Sequence, residues 1–104
     1  MRVKYRKTAI DFLGQAAAVL QERGEQRDLP SGERNMERIV TVFNALTRRD
    51  LTELEGYFFM LSLKLARASA DAFNPDDLLD TIGYSALALE HQARLQASTQ
   101  PTDI

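Results

Sequence analysis

Apolar residues recur at intervals of three and four along most of the chain, which is the period of an amphipathic helix. No alternating run rich in Val, Ile and Thr competes for a strand assignment. The pattern therefore predicts an all-α protein, built as an antiparallel four-helix bundle with short connections. The predicted helices cover about residues 8–23, 33–47, 51–70 and 75–96.

Capping signals help to place the helix ends. Thr8 stands three residues before an aspartate, and Asp50 stands three residues before Glu53, so that both pairs resemble capping boxes. Gly24 is placed where a left-handed cap would end the first helix. The clearest start is Asn74–Asp77, in which an N-cap residue and a proline precede two carboxylates that complement the helix dipole.

The chain has 104 residues, which leaves room for one domain. We expect a single helical domain over residues 1–96, of which 1–7 form a basic arm, and a mobile polar tail over 97–104. The third helix is apolar almost all round from Tyr57 to Leu65, which is typical of the central helix of a bundle. His91 is interpreted as a favourable partner of its helix dipole near the C-terminal end.

Composition and charge exclude several classes of function. The net charge of −2 gives no general attraction to nucleic acid. No run approaches the ~20 apolar residues that span a bilayer, so no membrane partner is expected. Cysteine is absent, which excludes disulfides and thiolate metal sites and makes a reducing cytoplasm the simplest location. With a single histidine, no site can use two histidines of one chain.

Two charged residues interrupt apolar stretches of the third and fourth helices. Lys64 is the only ionisable residue besides Tyr57 in its stretch, and Asp80 is the only acid or base in the other. Asp77 shares a helical face with Asp80, and Arg67 shares one with Lys64, so an acidic pair and a basic pair could meet inside the bundle if the two helices pack antiparallel. Because burying an unpaired charge is costly, we expect Lys64 and Asp80 to face each other.

Two interpretations of these charges are open. In the functional one, Asp77 and Asp80 hold Mg²⁺, which prefers oxygen ligands, while Lys64 and Arg67 bind phosphate. In the structural one, Lys64 and Asp80 form an ion pair, and Asp77 only complements the helix dipole. Tyr84, one turn after Asp80, could stack on a base or be a core tyrosine.

The order of three segments resembles a known family. Residues 76–84 resemble the second acidic motif of MazG-like nucleotide pyrophosphohydrolases. Residues 35–39, 60–67 and 80–87 together resemble a small phage-associated family of poorly known function within that superfamily. The resemblance covers about residues 20–92, and it rests chiefly on the Lys-x-x-Arg and Asp-x-x-Gly-Tyr segments at their mutual spacing.

This resemblance implies an all-α fold completed by oligomerisation, as a dimer or tetramer. It also implies Mg²⁺-dependent cleavage of a nucleoside triphosphate to monophosphate and pyrophosphate, with Asp80 and Lys64 in catalytic positions. The superfamily's glutamate cluster is missing, because the third helix carries Lys64 and Arg67 there instead. Glu33 or Glu37 on the second helix, or a second subunit, could supply the missing ligands, and Asn35 could orient a ligand or cap a helix.

Three functions of different class follow. The first is a Mg²⁺-dependent nucleoside triphosphate pyrophosphohydrolase in which Lys64, Arg67, Tyr84 and Asn35 bind substrate. The second is a nucleotide sensor that has lost the chemistry. The third is a catalytically inactive oligomeric protein-binding module, for example a phage-encoded inhibitor of a host protein. Each would act in the cytoplasm, or in the host cytoplasm if the protein is phage-encoded.

Overall fold

The structure, a computed structural model, describes residues 7–27, 35–70 and 72–99. These residues form four helices and no strand, so the all-α prediction is confirmed. None of the helices is long and apolar enough to cross a membrane. The helices are α1 (Ala9–Arg27), α2 (Met36–Thr47), α3 (Glu53–Ala68) and α4 (Pro75–Thr99).

Two of the predicted helix starts are confirmed in atomic detail. At α1, the Thr8 N–H donates to Asp11 Oδ2 over 2.9 Å, and the Asp11 N–H donates to Thr8 Oγ1 over 3.3 Å. At α4, the Asp76 N–H donates to Asn74 Oδ1 over 3.0 Å, and Pro75 is the first helical residue. Side chains thus satisfy backbone donors that the first turn of a helix leaves free.

The predicted start of α3 is wrong by two residues. The capping box is formed by Thr52 and Glu55, whose backbone N–H groups each donate to the other's side chain over 2.9 and 3.1 Å. The physical reason lies in α2, where the Asn44 side chain accepts from the Leu51 N–H over 2.9 Å and donates to the Leu51 carbonyl over 3.0 Å. Both polar groups of Leu51 are therefore engaged outside α3, which begins at Glu53.

Two predicted helix ends are also wrong. Gly24 does not end α1, which continues to Arg27, since the backbone hydrogen bonds of a helix can pass through a glycine at modest cost. Residues 97–99 belong to α4 and not to a tail. The rest of the predicted tail and arm, at residues 100–104 and 1–6, lies outside the described residues, as do the first two residues predicted for α2.

The helices pack in the spatial order α1, α4, α3, α2. Lys64 on α3 contacts Asp80 on α4, and Glu53 contacts His91. The earlier residue of α3 meets the later residue of α4, and the later residue of α3 meets the earlier one of α4. The two helices are therefore antiparallel. In the described chain α1 packs on α4 and α2 on α3, while the backbones of α1 and α2 do not approach each other. Closure into a bundle by oligomerisation stays a prediction.

The hydrophobic core is small and lies where α2, α3 and α4 meet. Gly56 on α3 allows the close approach of α2, because a Cβ there would overlap the Met36 sulfur and lie 2.9 Å from Val40 Cγ2. No large side chain among the described residues is fully buried. The buried cluster consists of Met36, Val40, Tyr57, Leu87 and Ala88.

Candidate functional site

A sheltered ion pair joins the middle of α3 to the first half of α4. Lys64 Nζ lies 2.8 Å from Asp80 Oδ2, and the two side chains are only 14% and 11% exposed. This is the contact that the two isolated charges predicted. A charge-assisted hydrogen bond of this length is among the stronger polar contacts in proteins, and here it offsets the cost of removing both charges from water.

Arg23 brings a second cation to Asp80, and sequence reasoning missed it. Its Nη2 lies 3.7 Å from Asp80 Oδ1, and its side chain is 43% exposed. α1 delivers Arg23 because Leu20, one turn earlier, packs closely on α4 at Gly83, where a Cβ would lie 3.3 Å from Leu20 Cδ1. The spacing of Leu20 and Arg23 on one face was the available signal, but the expected helix end at Gly24 obscured it.

Asp77 and Arg67 do not form the second pair that the spacing suggested. Asp77 is 7% exposed, and its N–H donates to the Asn74 carbonyl over 3.0 Å in the first turn of α4. Arg67 is exposed, and no ion pair joins it to an acid in the described parts of the chain. The acidic and basic pairs therefore meet only at Lys64 and Asp80, and Arg67 keeps its guanidinium accessible.

Tyr84 lies in a confined space one turn after Asp80. It packs against the buried cluster, as the structural interpretation of this residue expected. Together with Asp80, Arg23 and Leu87 it lines a cavity of about 20 Å³ between α1 and α4. A space of this size holds one water molecule, so the described residues form no base-sized pocket at Tyr84.

The remaining candidate residues lie at the other end of the α3–α4 pair. Glu37 is exposed and lines a cleft of about 210 Å³ together with Glu53, Tyr57 and His91. Glu53 is eleven residues before Lys64, or roughly 16 Å along α3. One chain therefore does not bring Glu37 to Asp77 and Asp80. Asn35 is the N-cap residue of α2, but its side chain makes no capping hydrogen bond.

His91 belongs to this second cleft and not to the end of a helix. Its Nδ1 lies 3.5 Å from Glu53 Oε2, and its ring centroid lies 6.3 Å from that of Tyr57. α4 continues for two more turns, so the predicted partnership with the helix dipole is replaced by a contact with α3. The register that pairs Lys64 with Asp80 also places these groups together.

The acidic residues that the structure describes do not fit a resident Mg²⁺ ion. Each carboxylate oxygen of Asp80 already faces a cation, Lys64 or Arg23. The described residues include no group of three or more acidic or histidine side chains placed to hold a metal. Mg²⁺ needs oxygen ligands at about 2.1 Å in near-octahedral geometry, which a carboxylate shared between two cations does not offer.

Fold and site together define an all-α protein with a sheltered Lys–Asp pair and a flanking arginine. The chain belongs to the DUF6378 family, a domain of unknown function, which matches residues 11–92. That range includes every candidate site residue named above. No curated protein and no solved structure matches the chain.

Proposed function

We propose that this protein binds the phosphate groups of a nucleotide beside the Lys64–Asp80 pair and acts as a nucleotide sensor of MazG-like ancestry. One observation carries the proposal: Asp80 is flanked by Lys64 and Arg23 on different oxygens, while Arg67 is exposed one turn from Lys64. Two cations, Lys64 and Arg23, share the single carboxylate of Asp80, so this group of three carries a net positive charge in a chain that is acidic as a whole.

Arg23 is the residue best placed to take up a phosphate. At 3.7 Å its contact with Asp80 is longer than a direct hydrogen bond, and nearly half of its side chain is exposed. A guanidinium presents five donors in a planar fork that matches phosphate oxygens two at a time. Lys64, held at 2.8 Å by Asp80, contributes a fixed positive charge behind it.

The charged side chains at this site support phosphate binding without hydrolysis. Pyrophosphate release in the MazG-like manner would need Mg²⁺, and the acids among the described residues do not assemble a site for it. Such a sensor would act in the cytoplasm, in keeping with a sequence that has no cysteine. Hydrolysis would need further carboxylates, from a second subunit or from the parts of the chain outside the described ranges.

The test is thermal unfolding and titration calorimetry of the full chain with ATP, a deoxynucleoside triphosphate and pyrophosphate. We expect each ligand to raise the Tm, since a ligand at 100 times its Kd adds about 2.7 kcal/mol to the free energy of unfolding. Arg23→Gln and Arg67→Gln should each reduce this effect. Arg94→Gln, on the far half of α4, is the matched control and should retain it.

Two outcomes would contradict the proposal in different ways. If no nucleotide or pyrophosphate raises the Tm of the folded protein, the cations serve only the structure. If pyrophosphate is released with Mg²⁺ or Mn²⁺, and this turnover is lost in folded Asp80→Asn protein, the protein is a hydrolase and not a sensor.

A further inference from the structure

The apolar stripe of α2 is not the side by which α2 packs on the rest of the chain. Its buried residues are Met36 and Val40, which contact α3 at Gly56. The stripe itself follows the spacing i, i+3, i+4, i+7 and consists of side chains that are 40% to 80% exposed. These are Ile39, Val42, Phe43 and Leu46.

Phe59 on α3 and this stripe both lie on the side of the molecule away from α4. Successive residues turn by about 100° around a helix, so the stripe lies on the side of α2 opposite Glu37. Since Glu37 lines the cleft beside α4, the stripe lies on the side away from α4. By the same rotation Phe59, which is 64% exposed, lies on the side of α3 away from Tyr57 and His91.

We define the α2 face as the side chains of Ile39, Val42, Phe43, Leu46 and Phe59. Its exposed apolar area is close to the apolar area that one partner contributes to a standard interface. Taking about 150–200 Å² for a fully exposed side chain of this size, its exposed fractions amount to about 500 Å². A standard interface takes about 800 Å² from each partner, of which about 65% is apolar in homodimers. The five side chains therefore supply nearly all of the apolar area that a stable dimer needs.

We infer that two copies of this chain associate through the α2 face, packed against itself about a two-fold axis. No charged residue belongs to the face, and an apolar patch of about 500 Å² is among the largest that a soluble monomer exposes and often marks an interaction site. A surface that must stay covered is most simply covered by a second copy, because homodimers with two-fold symmetry are the commonest oligomers. A different protein on the same face is an outcome of the test.

The first experiment compares Ile39→Glu with Thr41→Glu by sedimentation equilibrium of the full chain. Ile39 lies in the middle of the stripe around α2, while Thr41, two residues later, is exposed on the opposite side of the helix. We expect dimers for the natural chain and for Thr41→Glu. Ile39→Glu should weaken association about 100-fold or more, because a symmetric contact receives the substitution twice. Circular dichroism shows whether each variant keeps its helices.

A second experiment does not depend on the glutamate variant folding. The chain has no cysteine, so single-cysteine variants give an unambiguous cross-link. Near a two-fold axis a residue lies close to its own copy, so Ile39→Cys should form a disulfide-linked dimer under mild oxidation, and Thr41→Cys should not. A natural chain that sediments as a monomer would overturn the inference. The inference would also be overturned if both glutamate variants remained dimeric and neither cysteine variant formed a disulfide-linked dimer. Neither experiment involves a nucleotide.

Discussion

The two ends of the α3–α4 pair contain one ion pair each, and the pairs differ in burial and in kind. At one end, Lys64 and Asp80 lie 2.8 Å apart and are less than 15% exposed. At the other, His91 and Glu53 lie 3.5 Å apart, with side chains 17% and 29% exposed. Lysine and aspartate are both charged at neutral pH, whereas histidine carries a charge only when it is protonated.

This difference shows that two ion pairs created by the same helix register need not contribute equally to the stability of the fold. The same antiparallel register creates both pairs, and a third helix flanks each, α1 at the first and α2 at the second. Only at the first does that helix bring a further ion-pair partner, Arg23. The second opens into a polar cleft. We therefore expect substitutions at the enclosed end to destabilise the fold strongly, and substitutions of the open pair to have small effects.

The largest effect is expected for Asp80→Asn. Removing the carboxylate leaves the Lys64 ammonium sheltered without a counter-charge, which should lower the free energy of unfolding by about 3 kcal/mol. Urea denaturation measures it. The double variant Asp80→Asn, Lys64→Met should recover most of the loss, since neither charge is then buried. A loss below about 1 kcal/mol for the single variant would show that the pair is not sheltered in solution.

Gly56→Ala should come next, because it disturbs the attachment of α2 near the open end. The new Cβ would overlap the Met36 sulfur and press on Val40, and such overpacking costs about 1–3 kcal/mol. Gly14→Ala is the matched control: its Cβ would meet no atom within 4 Å, so it should stabilise α1 by about 0.5–1 kcal/mol. Equal shifts in Tm for the two variants would contradict the close approach of α2.

Thr52→Ala removes the capping box at the start of α3. The Glu55 N–H would lose its side-chain acceptor, and we expect a loss of about 1 kcal/mol in the free energy of unfolding. Thr41→Ala provides the comparison, because the Thr41 hydroxyl donates only to a carbonyl of its own helix. It should change stability by less than about 0.5 kcal/mol. If Asp50→Ala lowered the free energy of unfolding more than Thr52→Ala, the N-cap of α3 would be Asp50, as the sequence pattern predicts.

The smallest effect is expected for the open pair itself. A double-mutant cycle of Glu53→Gln and His91→Gln should give a coupling energy below about 1 kcal/mol at neutral pH, because partly exposed pairs are screened by solvent. Denaturation at low and high salt should show that this coupling is weak in both. A coupling as large as that of Lys64 with Asp80 would remove the contrast between the two ends.

The sequence predicted the helices and one contact of the site for clear physical reasons. Helical periodicity is a local property, and caps such as Asn74 act within one turn, so both can be read from neighbouring residues. Lys64 and Asp80 could be paired without coordinates because each is isolated in an apolar stretch and needs a counter-charge. The start of α3 could not be predicted from the sequence, because it depends on Asn44 of another helix making hydrogen bonds to the Leu51 backbone.

Only the tertiary structure decided how those elements combine. Arg23 reaches Asp80 because Leu20 packs on Gly83, a contact between residues 63 positions apart that no local pattern reveals. Glu37 lies with His91 and not with Asp80, since the rotation of α2 about its axis is fixed by Gly56 admitting Met36 and Val40. The sequence by itself determined which residues had to be helical and which charges needed partners. Packing at two glycines decided which charges met and which apolar face stayed exposed.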